Sequence, residues 1–169
     1  MSEDKLKQSA NDLVAYLQEL YKDWEGVVQF GDTPRRLTSM YQEFCWSPEK
    51  IETELKKTFR SFENGYDEML VTRPIDVHTL CPHHLLPCFF KVTIGYVPGG
   101  KVLGLSKFIR ISTVLAKRPI MQEEYTRVLA DELEKRLDPK GVAVQVVGSH
   151  GCMTSRGVQQ HSEVTTSVI

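Results

Sequence analysis

The chain has 169 residues, 21 basic against 22 acidic, and a formal net charge of -1, a balance that gives no sign of a nucleic-acid or anionic-membrane partner. It holds no apolar run near the ~20 residues that a membrane-spanning helix needs, and its start, Met1-Ser2-Glu3-Asp4-Lys5, opens no signal peptide. A cytoplasmic protein is expected, long enough for a real core in one domain or in one domain with a helical appendage.

Leu6, Leu13, Val14, Leu17 and Leu20 recur at helical spacing between polar residues, which predicts an amphipathic helix. After Gly31, Asp32-Thr33-Pro34-Arg35-Arg36 reads as a capping side chain followed by proline at the first helical position, the start of a second helix running to about Phe44. Ser47-Pro48-Glu49 repeats the device for a third. Beyond Asn64-Gly65 the pattern changes, so the chain divides into a helical region, 1–64, and a second region, 65–169. There, 68–71 and 75–78 read as short strand pieces broken by Pro74.

Phe90, Val92, Ile94 and Tyr96 alternate with Lys91, Thr93 and Gly95, a half-buried strand that ends at Pro98-Gly99-Gly100 and takes 102–105 as its hairpin partner. Ser106 is read as the cap of a helix carrying Ile109, Val114 and Leu115. Tyr125, Leu129, Leu133 and Leu137 mark a longer helix, stopped at Asp138-Pro139-Lys140-Gly141. The apolar run 142–147 is a strand leading to His150 and Cys152. Strands, then helices, then strands predict an α+β fold with an antiparallel sheet and helices on one face.

Cys81-Pro82-His83-His84 and His150-Gly151-Cys152 gather two of the four cysteines and three of the five histidines. Thiolate and imidazole suit zinc; a closed structural site takes four protein ligands, and a hydrolytic one takes three and leaves a position for water. In a reducing compartment Cys81 and Cys152 fit a metal better than a disulfide. If the chain is extended at 150–152, both residues point to one face. Adjacent His83 and His84 point apart, so one can bind metal while the other stands free as acid or base; the alternative is a structural clip using both. Cys45 and Cys88 read as small core residues without chemistry.

Cys81-x-His83-His84-Leu-Leu-Pro, Ile94-Gly-Tyr-x-Pro, Gly104-Leu-Ser-Lys, Gln122-Glu123, Gly141-Val-Ala-Val, His150-x-Cys-Met and Arg156-Gly-Val resemble, in order and spacing, the motifs of the GTP cyclohydrolase I family. The resemblance implies the tunnelling fold: a four-stranded sheet with two helices on one face, preceded by N-terminal helices, whose sheets join into a barrel in a homodecamer with active sites at subunit boundaries. It implies zinc-dependent hydrolysis of GTP, with release of C8 as formate and formation of 7,8-dihydroneopterin triphosphate for pterin and folate-type biosynthesis. By position, Cys81, His84 and Cys152 match the zinc ligands. His83 and His150 match catalytic histidines, and Ser106 is matched to a later rearrangement step. Lys107, Arg110 and Arg156 match triphosphate contacts, and Gln122 and Glu123 the recognition of guanine, whose N1–H and 2-amino group a carboxylate can accept from.

One departure is local: Pro82 stands where the family usually carries glutamate. The sequence also ends at Ile169, where members typically continue through a Gly-Phe segment. Two alternatives stay open at this stage, a relative with another nucleotide or product, such as one acting on deoxyguanosine triphosphate, and a catalytically silent zinc-stabilised subunit. The basic and acidic site residues argue against the silent subunit, since a scaffold has no use for them.

Overall fold

The structure is a computed structural model and describes residues 3–24, 29–63 and 65–169. Met1 and Ser2, which belong to the N-terminal reading, and Asn64 of the expected boundary turn lie outside the described residues. Two compact units emerge, one ending at Cys45 and the other spanning Trp46–Ile169.

The first unit contains α1 (Glu3–Leu20) and α2 (Thr33–Phe44). The two helices pack on each other, with Ala10 and Val14 of α1 and Thr38 of α2 buried. Asp32 occupies the N-cap position of α2 without a side-chain capping bond. Its carboxylate instead accepts from Arg35 and Arg36, which hold its pKa well below the usual carboxylate range. The helix starts with proline in its first turn as expected, and charge pairing takes the place of a side-chain cap.

In the second unit, α3 (Pro48–Thr58) starts as expected, Ser47 Oγ accepting from Lys50 N at 3.2 Å. β2 (Leu70–Leu80), β3 (Pro87–Val97), β5 (Gly141–His150) and β6 (Glu163–Val168) form one antiparallel sheet in the order β2-β3-β5-β6. α4 (Leu105–Leu115) and α5 (Gln122–Leu137) lie between β3 and β5 in the chain. The inward alternation on β3, Phe90, Val92, Ile94 and Tyr96, packs in one core with Phe108 and Ile111 of α4 and Tyr125, Leu129 and Leu133 of α5. The four-residue spacing on α5 and the two-residue spacing on β3 thus meet face to face. Among the described residues, no helix is long and apolar enough to cross a membrane.

Three local expectations are corrected. The two strand pieces around Pro74 are one strand, because the register shifts between Thr72 and Ile75 and a bulge lets proline sit in a sheet without a missing ladder bond. The segment Lys101–Leu103 is β4, and it pairs with a short β1 (Ser61–Glu63) that the sequence did not announce, not with β3. Gly104, not Ser106, is the N-cap of α4, so Ser106 lies inside the helix.

Asp138 ends α5 with φ of 47°, and the turn after β3 closes tightly upon it. A Cβ on Gly99 would come within 2.3 Å of the Asp138 carbonyl oxygen, and a backbone atom there cannot swing away. Gly99→Ala is therefore expected to destabilise the protein by about 1–3 kcal/mol, read as a lowered Tm; an unchanged Tm would show that the turn can open freely.

Candidate metal centre and nucleotide site

The functional side chains collect where β2 ends, β3 begins, β5 ends and α5 starts. Cys81 N donates to Leu86 O at 2.9 Å and Leu85 N donates to Cys81 O at 2.8 Å, which closes the loop 81–86 into a single turn. Pro82 takes the first position of that turn, where an N–H has no acceptor within the turn and a fixed φ suits the backbone. Leu85 sits at φ of 54°, uncommon for a branched side chain and an indication of a backbone held by its surroundings.

Cys152 reaches the same place by a route the sequence did not reveal. The strand stops at His150, and Gly151–Thr154 forms the short helix α6. The expectation that 150 and 152 share one strand face is corrected accordingly: His150 ends β5, and Cys152 sits on a helical turn. Gly151 permits it, since a Cβ there would lie 2.8 Å from Pro87 O.

Ligand atoms of Cys81, His84 and Cys152 all lie within 4.8 Å of one another, and Cys81 Sγ is 3.6 Å from His84 Nδ1. A tetrahedral zinc with Zn–S near 2.3 Å and Zn–N near 2.0 Å holds its ligands about 3.5 Å apart, so two thiols and one imidazole in this arrangement fit that ion. Burial, followed by the neighbouring Cys81, pushes the Cys152 thiol up; a bound cation reverses that trend by stabilising thiolate. His83 stays outside the ligand group, exposed, with Nδ1 3.9 Å from Cys81 Sγ and its ring 6.2 Å from that of His84. Arg156 Nη1 donates to His84 Nε2 at 2.8 Å.

His150 forms a second, adjoining cluster. Its Nδ1 is 3.3 Å from Cys88 Sγ and its Nε2 is 2.8 Å from Gln122 Oε1. Burial lowers its pKa, and the Glu123 carboxylate opposes the shift. Burial, then Cys81 and Cys152, push Cys88 up to about 12. Cys88 lies in the core as expected, and it stands opposite His150 across β3 and β5, a pairing with no signal in the sequence. Gln122 is 2 % exposed and bonded on both sides of its amide within the protein, whereas Glu123 next to it is exposed.

Ser106, Lys107 and Arg110 are elsewhere. They lie in the first turns of α4, whose Phe108 ring is 5.3 Å from that of Tyr96, and Tyr96 OH accepts from Leu103 N at 3.1 Å. Along β3, Tyr96 is about 27 Å from Cys88 at the usual strand rise of ~3.4 Å per residue. The opposite end of α4 leads to the metal end, where Ile120 N donates to Leu80 O at 3.1 Å. No hydrogen bond or ion pair among the described residues joins these three side chains to the metal cluster.

A family model described as GTP cyclohydrolase I matches residues 9–169. GTP cyclohydrolase 1 of Aquifex aeolicus (strain VF5) is 39% identical over 167 residues, covering 99% of this chain and 86% of that protein. Its namesake in Corynebacterium glutamicum (strain R) is 42% identical over 148 residues, covering 86% and 72%, and that of Brevibacillus brevis is 38% identical over 168 residues, covering 98% and 87%. A solved structure of the archaeosine synthase QueF-Like in the apo form covers 62% of this chain and 95% of its own at 21% identity and TM-score 0.40, too loose a likeness to carry weight. The sequence matches run through both halves of the metal cluster and every strand of the sheet, and this chain belongs to the GTP cyclohydrolase I family.

Proposed function

We propose that this chain is a cytoplasmic enzyme that hydrolyses GTP at C8 of the purine, releases formate and forms 7,8-dihydroneopterin triphosphate. The observation that carries the reading is the convergence of Cys81, His84 and Cys152 beside His83, His150 and Glu123 in a chain of this family. Cys81, His84 and Cys152 would hold zinc, which supplies Lewis acidity and an activated water. His83 moves a proton to or from the purine, being exposed beside the ligand loop with Nε2 unpartnered among the described residues, and imidazole is the side chain most often used for such transfers. The Arg156 guanidinium, which donates to His84 Nε2, binds the triphosphate in this reading together with Lys107 and Arg110. Ser106 assists the later rearrangement. Incubation with GTP, with formate and oxidised pterin fluorescence followed together, tests the reading; turnover without formate would overturn it.

Glu123 sets base choice in this reading. A carboxylate paired with two guanine donors would face adenine without them, and discrimination of this kind reaches several orders of magnitude in rate when polar groups are left unpaired. Glu123→Gln is expected to cost far more in GTP turnover than in Tm. Equal turnover or binding of ATP and GTP by the native protein would refute the assignment.

The catalytic domain, 65–169 with the helical region 1–64 before it, works in this reading as part of a homodecamer of two facing pentameric rings, with the sheets closed into barrels. Two features support it. β2 and β6 are the edge strands of the sheet, and closing a barrel removes such edges; the face away from the helices carries Met69, Val71, Ala143 and Ile169 in one groove. The separation of the α4 cations from the metal cluster supports a site completed by a second copy. Light scattering should give roughly 190 kDa for ten chains of 19.3 kDa; an active monomer would refute the shared site.

A further inference from the structure

Gln122 belongs by sequence to the expected nucleotide contacts, yet its amide is engaged inside the protein. Its Nε2 donates to Val146 O at 3.0 Å and to Val164 O at 2.8 Å, and lies 3.2 Å from Thr166 Oγ1. Backbone carbonyls only accept, so the amide nitrogen must face β5 and β6, and the amide oxygen must face His150. An amide oxygen also only accepts. His150 Nε2, 2.8 Å away, therefore carries a proton, which in the neutral ring leaves the lone pair on Nδ1. Cys88 Sγ stands 3.3 Å from that nitrogen, and a thiol has an S–H to offer a lone pair there. The seat for the amide exists because residue 148 is glycine: a Cβ there would lie 2.1 Å from Gln122 Oε1 and 2.8 Å from Cδ.

We propose that Gln122 is a positioning residue that acts through His150: lodged in the space left by Gly148, it fixes the imidazole as the Nε2–H tautomer, with the Nδ1 lone pair turned to Cys88 beside the metal cluster. The catalytic consequence rests on the GTP cyclohydrolase reading; the tautomer does not. A direct contact between the Gln122 amide and substrate would break one of its internal bonds, so recognition of guanine falls to Glu123 and the histidine geometry to Gln122.

The test uses zinc-loaded protein labelled with 15N-histidine, with the His150 signals assigned by their loss in His150→Gln. Native protein at neutral pH should show a protonated Nε2 and an unprotonated Nδ1. Gly148→Ala meets mainly the end of a flexible side chain, so it is expected to fold and keep zinc, to mix the two tautomers, and to lower kcat for GTP roughly ten- to a hundredfold at nearly constant KM. Cys88→Ala should shift the same signals, and Cys88→Ser, which restores a donor, should bring them back. An Nδ1–H tautomer in the native protein would overturn the proposal. So would a Gly148→Ala variant with raised KM and native kcat, which makes Gln122 a substrate contact, or one with mixed tautomers and native kcat. Should native protein turn over no GTP, the reaction reading fails and the spectra alone decide the tautomer.

Discussion

Alanine at Cys81, His84 or Cys152 is expected to abolish zinc binding and GTP turnover together, whereas His83→Ala should keep a full complement of zinc and lose roughly a hundredfold or more in kcat. The difference follows from position. Cys81, His84 and Cys152 present ligand atoms to one another within 4.8 Å, and with three ligands, loss of any one leaves a site unable to hold the ion tightly. His83 is next to a ligand in sequence but outside the group, with its ring turned 76° from that of His84. Metal analysis beside a formate assay separates the two roles. Loss of zinc from His83→Ala as complete as from His84→Ala would make the site a closed structural one.

The second large effect is expected from mixing inactive chains. In the proposed reading Cys152→Ala removes the metal half of the site and Arg110→Ala the phosphate half, and each variant alone should be nearly inactive. If the halves of one site come from different copies, co-assembled mixtures contain sites with both halves intact, in about a quarter of cases for random mixing across a heterologous interface. Activity should therefore rise from near zero to a sizeable fraction of native on unfolding and refolding the two together. The single chain motivates the experiment: Lys107 and Arg110 follow the Tyr96 end of the core, and the metal cluster sits at the Cys88 end of the same strand. No recovery, with mixed oligomers verified, would place both halves in one chain.

Helix positions were legible because a buried face repeats locally: Tyr125, Leu129, Leu133 and Leu137 are all buried on α5, as their spacing predicts. The strand β3 was legible for the same reason. Pairing was not. The partner of Lys101–Leu103 is set by a short strand forty residues earlier in the order of the chain, roughly, and nothing in its three residues encodes that choice. Proline at 74 argued for a break, and the bulge that accommodates it depends on the neighbouring strand. At the site, the Cys81, His84 and Cys152 group could be read from residue types clustered in two short motifs, and the family's motif order supplied the proposed nucleotide contacts. The bonds of His150 to Gln122 and Cys88 could not, since they join residues 28 and 62 positions apart through sheet register and a missing side chain at Gly148.

The measurement that bears most directly on the central claim compares the native protein with Pro82→Glu, both loaded with zinc, on GTP and on 2'-deoxy-GTP. Pro82 occupies the first position of a turn whose closing bond runs from Leu85 N to Cys81 O, where proline costs no hydrogen bond and holds the ligand loop rigid. It is neither ligand nor proton donor. The native protein should release one formate for each GTP consumed and yield a fluorescent oxidised pterin. A native protein that binds zinc and nucleotide yet releases no formate from either substrate, while Pro82→Glu does, would contradict the account.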